Sequence, residues 1–236
     1  MSYNLPTPPV PDLARAQGAT VSELFDWFVD FFNMGGAPFN YRRATKAVRA
    51  AYKGLHKIHL LTASCAAEKT AVGRFANTDV VNHAAPSAFG RITQVFDLSP
   101  RRFAFGRDRR AAYRIPFLFV ENGVIHVYYL QPRKSAGPDL DELGMVASIV
   151  KAYLLDTEFF GQQCNVEFVD VGVPIGGAAR LPRKYSLGML PLWSEKRLAE
   201  RLTMIGEALD RVAASGRVVR RHRLRARPEP EMPLFD

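Results

Sequence analysis

The segment RIPFLFVENGVIHVYYLQ, residues 114–131, carries the strongest structural signal in the chain. Two runs rich in Ile, Phe, Val and Tyr flank Glu121-Asn122-Gly123. Asn and Gly both tolerate the positive φ angles of a tight turn, and such a pair between strand-forming runs is typical of a β-hairpin. The sequence therefore predicts two antiparallel strands, over residues 114–120 and 124–131, joined at this turn.

Further elements are predicted on both sides of this hairpin. Helices are assigned where apolar residues recur every three to four positions, and strands where β-branched and aromatic residues form short runs. In chain order these elements are a helix from the capping box at Thr20 and Glu23 to Gly35-Gly36, a helix over residues 42–66, a turn-rich segment over 73–90, a strand over 92–98, a helix over 139–160, a strand over 166–173 and a helix from Ser194 to Gly216.

The order of these elements predicts one α/β domain with a central mixed sheet, a β-hairpin and flanking helices. A chain of 236 residues is long enough for one such domain with terminal extensions. We assign the domain to residues 20–216, with its core over residues 42–175. The Pro-rich residues 1–19 are predicted to form an extended arm, and the Arg- and Pro-rich residues 217–236 a mobile tail.

Composition points to a cytoplasmic protein. Hydrophobic residues make up 47% of the chain and charged residues 23%, as in ordinary globular proteins. No run approaches the roughly 18 apolar residues of a membrane span, and the N-terminal residues lack the basic and apolar regions of a signal peptide. The two cysteines and five histidines are scattered without metal-ligand spacing, so no metal site is predicted from them and no cofactor is expected.

Positive charge is concentrated in three tracts. The net charge is +9, but residues 41–67 carry six Lys or Arg and no acid, residues 101–114 carry six Arg and one Asp, and residues 211–227 carry seven Arg and no acid. The tracts together carry +18, so the rest of the chain carries −9. Such segregation predicts a cationic surface for a polyanionic partner. The simpler alternative is that these residues form solvated faces.

Candidate nucleic-acid-binding residues lie in three groups. They are the row Arg42, Lys46, Arg49, Lys53 and Lys57 on the helix over 42–66; the loop residues Arg101, Arg102, Phe103, Arg107, Arg109 and Arg110; and Gln131, Arg133 and Lys134 at the hairpin end. Arginine beside aromatic rings suits phosphate contact combined with base stacking. In the alternative interpretation, Phe103 and Phe105 return to the core. We expect all three groups to converge on one surface, and DNA rather than RNA to bind there.

The order of helix, three strands, helix and strand over residues 42–175 resembles the core of the PD-(D/E)xK, restriction-endonuclease-like superfamily. The resemblance implies an acid at the start of the first hairpin strand and an acid-x-Lys at the end of the second. These groups hold a divalent metal near the scissile phosphate and polarise the attacking water. Here Phe117 takes the first position and Gln131 the second, while Arg133 replaces the Lys and Lys134 follows one residue later. The resemblance therefore implies a nuclease-like core that has lost catalysis.

The last six residues, 231–236, read EMPLFD. They resemble the short peptides with which bacterial replication and repair proteins bind the sliding clamp, with Glu231 in place of the usual Gln. The resemblance implies that Met232, Leu234 and Phe235 enter a hydrophobic pocket on the clamp. In the alternative interpretation, the tail packs on its own domain or on a neighbouring molecule.

Three functions remain open from the sequence. The first is a nucleic-acid-binding accessory protein of replication, repair or mobile-element defence. The second is an active nuclease dependent on Mg²⁺ or a similar ion, with Asp97, Asp79 or Glu68 as displaced ligands. The third is a protein-interaction or regulatory module whose basic tracts contact an acidic partner. The usual catalytic motifs of hydrolases, nucleotide-binding loops and metalloproteases are absent from the sequence.

Overall fold

A computed structural model describes residues 5–34, 39–134, 137–174 and 176–218. Its helices are α1 (Val10–Ala14), α2 (Val21–Asn33), α3 (Arg42–Tyr52), α4 (Ile58–Ala63), α5 (Ala71–Ala84), α6 (Leu140–Val150), α7 (Asp156–Glu158) and α8 (Glu195–Ser215). Its strands are β1 (Gln94–Phe96), β2 (Arg102–Phe105), β3 (Arg109–Ala112), β4 (Phe117–Glu121), β5 (Val124–Gln131), β6 (Cys164–Asp170) and β7 (Arg183–Ser186). A π-helical segment, Lys151–Leu155, joins α6 to α7.

The central sheet is built around the predicted hairpin. β4 and β5 pair antiparallel, and Asn122 and Gly123 have φ angles of 51° and 79° at the turn. β1 lies antiparallel to β4, β6 lies parallel to β5, and β7 lies antiparallel to β6, in the order β1-β4-β5-β6-β7. α6 lies in the connection between the parallel strands. The predicted α/β fold, with a central mixed sheet, a β-hairpin and flanking helices, is confirmed.

Helices cover both faces of this sheet. Successive side chains of β4 point to opposite faces: Phe117 and Phe119 pack in one buried cluster with α3, α4 and α5, whereas Leu118 packs in another with α1, α2, α6 and α8. We call these the α3 face and the α8 face of the sheet. The small sheet of β2 and β3 packs on the α8 face through Phe103 and Phe105.

The prediction of an extended arm over residues 1–19 is wrong for the described residues. They include α1, and Leu5, Val10 and Leu13 are buried in the cluster on the α8 face. The Pro-rich sequence allows this because proline is accepted in the first turn of a helix. The following helix, α2, begins at the predicted capping box of Thr20 and Glu23, while its predicted end at Gly35-Gly36 lies outside the described residues.

The predicted single helix over residues 42–66 is interrupted. α3 ends at Tyr52, Gly54 has a φ of 102°, and α4 begins only at Ile58. The left-handed conformation at Gly54 ends the run of helical hydrogen bonds. The basic residues of this segment therefore lie on two helices and on the turn between them.

The turn-rich segment over residues 73–90 is mostly helical, so that prediction is wrong. The Thr70 hydroxyl accepts a hydrogen bond from the N–H of Gly73 at 3.0 Å and caps α5, and a short 3-10 helix follows it. Gly73 and Asn77, which suggested turns, lie one helical turn apart on the buried side of α5. Tertiary packing thus overrides the local turn preference of these residues.

The remaining elements agree in part with the sequence. The predicted helices over 139–160 and from Ser194 to Gly216 are confirmed by α6, α7 and α8. β1 is shorter than the predicted strand over 92–98, and β6 begins and ends earlier than the predicted 166–173. β2, β3 and β7 lie in segments predicted as loops.

Within the described part of the chain, none of the helices has the length and apolar character that crossing a membrane requires.

Candidate nucleic-acid interface

α3 presents a cationic side to solvent. Its buried residues, Ala44, Ala47, Val48, Ala51 and Tyr52, face the sheet. Arg42, Lys46 and Lys53 are exposed, and Lys57 is exposed just before α4. Among the described residues, no carboxylate lies within 4.0 Å of these four cations. We call these four residues the α3 row.

Arg49 belongs to the predicted row but is engaged elsewhere. Its guanidinium forms an ion pair of 2.7 Å with Asp97, which follows β1. Arg43, the residue after Arg42 on α3, has its Nε 3.6 Å from a carboxylate oxygen of Glu68. Both side chains link α3 to adjacent segments, so the exposed cations of the row are the ones free to meet a partner's phosphates.

The aromatic part of the second predicted group is buried. Phe103 and Phe105 are only 4% and 7% exposed, and their rings stack on each other at 5.4 Å. Phe103 also stacks on Tyr153 at 5.2 Å. The prediction that Phe103 binds nucleic acid by base stacking is therefore wrong, because β2 directs both rings into the cluster on the α8 face.

Two of the five arginines in this group are held in ion pairs. Arg101 contacts Glu158 at 2.9 Å, and Arg109 contacts Asp210 of α8 at 2.8 Å. Arg102, Arg107 and Arg110 are exposed.

The predicted groups are separated by the sheet. The α3 row belongs to the layer on the α3 face, whereas β2 and β3 pack on the α8 face. The expectation that distant basic residues converge on one surface is therefore wrong for these two groups. Hydrophobic periodicity placed each cation on an exposed side of its own element, but it carried no information about which face of the sheet that element covers.

The third group lies where the parallel strands β5 and β6 end. Gln131 pairs in register with Asp170, Arg133 lies 3.7 Å from Asp12, and Lys134 is exposed. In open α/β sheets this carboxyl end is the usual place for ligands. We call it the sheet end.

The residues at the sheet end do not fit a divalent metal. Phe117 is fully buried and stacks on Tyr128 at 4.4 Å. The buried Asp170 carboxylate accepts hydrogen bonds from the Gly172 N–H at 2.8 Å and from Arg183 Nη2 at 2.5 Å. Each oxygen thus already has a donor, one of them a guanidinium, and among the described residues no three His, Cys, Asp or Glu side chains group as metal ligands.

A second arginine at the sheet end was not found from the sequence. Arg180 is 8% exposed, and its Nε donates to Asp79 at 2.5 Å. Its Nη1 donates to the carbonyl oxygens of Pro132 at 2.9 Å and Val171 at 2.6 Å. Asp79, considered above as a displaced metal ligand, is thus paired with a guanidinium. The pair ties α5 to the ends of both parallel strands.

A buried polar network on the α3 face was also missed. Arg91 donates to both oxygens of Glu167 at 3.0 Å and to Glu121 at 2.6 and 2.9 Å. The Tyr52 hydroxyl donates to the same Glu167. Hydrogen bonds from Arg91 lower the pKa of Glu121, whereas burial and the nearby Glu167 raise the pKa of Tyr52. These residues are distant in sequence, and no spacing motif connects them.

The predicted clamp-binding residues Met232, Leu234 and Phe235 lie outside the described residues, as does the predicted tail from residue 219 onward.

Comparison of the chain with models of known protein families, with curated proteins and with solved structures found no match.

Proposed function

We propose that the protein binds nucleic acid, DNA in the first instance, through the α3 row, on a nuclease-like core that does not cleave. The observation that carries this proposal is the side of α3 that bears exposed Arg and Lys without a neighbouring carboxylate. Lys and Arg that neutralise phosphates provide most of the sequence-independent affinity of such proteins. A solvated helix face normally intersperses both signs of charge.

The spacing of the row supports contact with a phosphate backbone. Arg42 and Lys46 are one helical turn apart, about 6 Å along the axis, and Lys53 lies about 10 Å further on. The apolar side of α3 is fixed on the sheet through Val48 and Ala51. The cations therefore stand on a rigid element, which reduces the ordering cost of binding.

The sheet order supports the nuclease-like part of the proposal. β1, β4, β5 and β6 follow one another as three antiparallel strands and one parallel strand after a helical crossover. Apart from the added β2–β3 hairpin, the order of these elements along the chain is the one on which the resemblance of residues 42–175 rests. The guanidinium partners of Asp170 and Asp79 favour binding without catalysis over the active nuclease.

A pair of charge-matched variants tests the proposal. One carries Arg42→Gln, Lys46→Gln and Lys53→Gln; the control carries Arg102→Gln, Arg107→Gln and Arg110→Gln. Fluorescence anisotropy of labelled DNA is measured at several salt concentrations. We expect the first variant to bind more weakly. The slope of log K against log salt should become shallower by about 2 to 3, because each lost contact accounts for about 0.7 on single strands and about 0.9 on duplex.

The control variant should retain the wild-type slope, since its arginines lie on the other face of the sheet. Equal losses in both variants would show a nonspecific effect of net charge and contradict the assignment to the α3 row. Absence of binding at low salt by the wild-type protein would remove the nucleic-acid function altogether. The remaining hypothesis would then be that the α3 row binds an acidic protein partner.

A further inference from the structure

α5 carries an exposed aromatic residue, Phe75. Phe75 is 74% exposed, and Val72, on the same side of the helix, is 64% exposed. Among the described aromatic residues no ring stacks on Phe75. Exposing a whole phenyl ring to water is unfavourable by itself, because burial of a Phe side chain is worth about 1.5–3 kcal/mol. A ring so placed is available to a ligand.

The side of α5 that bears Phe75 leads to the sheet end. Asp79 lies one helical turn after Phe75 and pairs with Arg180. Arg180 in turn donates to the carbonyl oxygen of Pro132, two residues before the exposed Lys134. The next residue after Arg180, Leu181, is 54% exposed. Phe75 and Lys134 therefore each lie within a few residues of chain from groups that contact Arg180.

α5 is also fixed against the beginning of α3. Asn77 is fully buried, and its Oδ1 accepts from the Ala44 N–H at 2.9 Å. Its Nδ2 donates to the carbonyl oxygen of Asn40 at 2.9 Å. Arg42 and Lys46 stand on either side of Ala44 in sequence. The first half of α5, which carries Phe75, is thus packed against the beginning of α3, the part of that helix that bears Arg42 and Lys46.

We propose that Phe75 stacks on a base of single-stranded nucleic acid whose flanking phosphates contact the α3 row on one side and Lys134 on the other. This inference rests on the proposed function and specifies the strand form. Stacking on an aromatic ring needs an unpaired base, whereas duplex offers chiefly its phosphates to a flat cationic surface. Arg42, Lys46 and Lys134 are all cations, which suits contact with the phosphates of the strand.

The experiment compares Phe75→Ala with Phe160→Ala, a matched control at an 85% exposed phenylalanine that precedes β6. Both proteins are titrated by anisotropy against a single strand of about 20 nucleotides and the corresponding duplex. We expect Phe75→Ala to weaken single-strand binding about tenfold or more, with an unchanged salt slope and unchanged duplex affinity. Phe160→Ala should bind like the wild-type protein.

Two further variants identify stacking as the cause. Phe75→Trp should restore single-strand affinity, and its added indole fluorescence should be quenched by the oligonucleotide. Phe75→Leu keeps an apolar side chain without a π-face and should remain weak. Full affinity of the Leu variant would overturn base stacking, and an equal loss on duplex would overturn the preference for single strands.

The proposed function and this inference fail separately. If the variant of Arg42, Lys46 and Lys53 weakens binding but Phe75→Ala does not, the inference is wrong and the cationic surface stands. If neither variant changes binding, both are wrong.

Discussion

Arg91 lies between two carboxylates that come from different strands, Glu121 at the end of β4 and Glu167 in β6. All three side chains are largely buried, with 15%, 22% and 7% exposure. The guanidinium also lies over the rings of Tyr52 and Phe119, at 5.2 and 4.9 Å from their centroids. One residue thus connects two strands with the layer on the α3 face. Such a group is costly to remove, because its partners remain buried.

Replacing Arg91 by Met should lower the free energy of unfolding by about 3 kcal/mol, because two carboxylates lose their shared cation. Urea denaturation at neutral pH measures the effect. Arg107→Met, at an exposed arginine, is the matched control and should change stability by less than about 0.5 kcal/mol. A loss in the Arg91 variant no larger than in this control would show that the network does not stabilise the fold.

The pH dependence of this difference has a definite sign. Hydrogen bonds from Arg91 hold the pKa of Glu121 below its ordinary value. A carboxyl with a lowered pKa stabilises the fold above its unfolded pKa of about 4.3, and this contribution is lost as the pH falls through the folded pKa. The advantage of the wild-type protein over the Met variant should therefore be complete near neutral pH and shrink below about pH 4.

The structural roles of individual residues differ in how well they can be predicted from the sequence. Asn122 and Gly123 are recognisable because a hairpin turn is a local structure with local requirements. Arg91 is not, since its partners lie 30 and 76 positions away. Phe103 was misassigned because its segment was predicted as a loop, whereas it forms β2, whose alternation directs the ring into the core.

At the scale of elements, the predictions succeeded where end signals were complete. α2 has its capping box at Thr20, and α8 has Ser194 at its beginning and Gly216 with a φ of 67° at its end. α5 was missed because its buried side contains Gly73 and Asn77 in place of a row of large apolar residues. The energy that keeps this segment helical comes from contacts with α3, which a local pattern does not contain.

Asn77 makes a clear test of the contact between α5 and α3. Asn77→Ala removes the acceptor for the Ala44 N–H and the donors to the carbonyl oxygens of Asn40 and Gly73. Because the buried Ala44 N–H would remain unpaired, we expect a loss of about 2 kcal/mol in the free energy of unfolding. Hydrogen exchange of the Ala44 amide should also become faster.

Asn82→Ala is the control, since Asn82 is an exposed asparagine on the same helix. It should leave both stability and the exchange of the Ala44 amide unchanged. If the two variants behave alike, the beginning of α3 is not held by Asn77, and the fixed position of Arg42 and Lys46 loses its structural basis.

For the whole molecule, the sequence predicted the α/β architecture and the segregation of charge but not the arrangement of the charged surfaces. The basic tract of α3 and that of β2 and β3 lie on opposite faces of the sheet. That placement depends on the path that the chain takes around the edge of the sheet. The composition of each tract carries no information about this path. The ion pairs of Asp170 and Asp79 at the sheet end could not be predicted either, because they form only when β6 and α5 are brought together in the fold.

The paired acids lead to a prediction for the whole protein, namely that it leaves DNA intact. Supercoiled plasmid incubated with the protein and Mg²⁺ or Mn²⁺ should stay supercoiled. Metal-assisted cleavage needs carboxylates free to hold the ion, whereas Asp170 is bound by Arg183 and Asp79 by Arg180. Gel electrophoresis provides the measurement.

The variant Asp170→Asn distinguishes cleavage by the protein itself from cleavage by a contaminating nuclease. Cleavage by the wild-type protein that disappears in this variant would mean that the carboxylate releases Arg183 and binds metal, and the proposal of a core without catalysis would be wrong. Cleavage that persists unchanged in the variant would come from outside the sheet end. Because Asp170 is not among the residues proposed to contact phosphates, the Asn variant should in either case retain DNA binding, so that binding and cleavage are read independently.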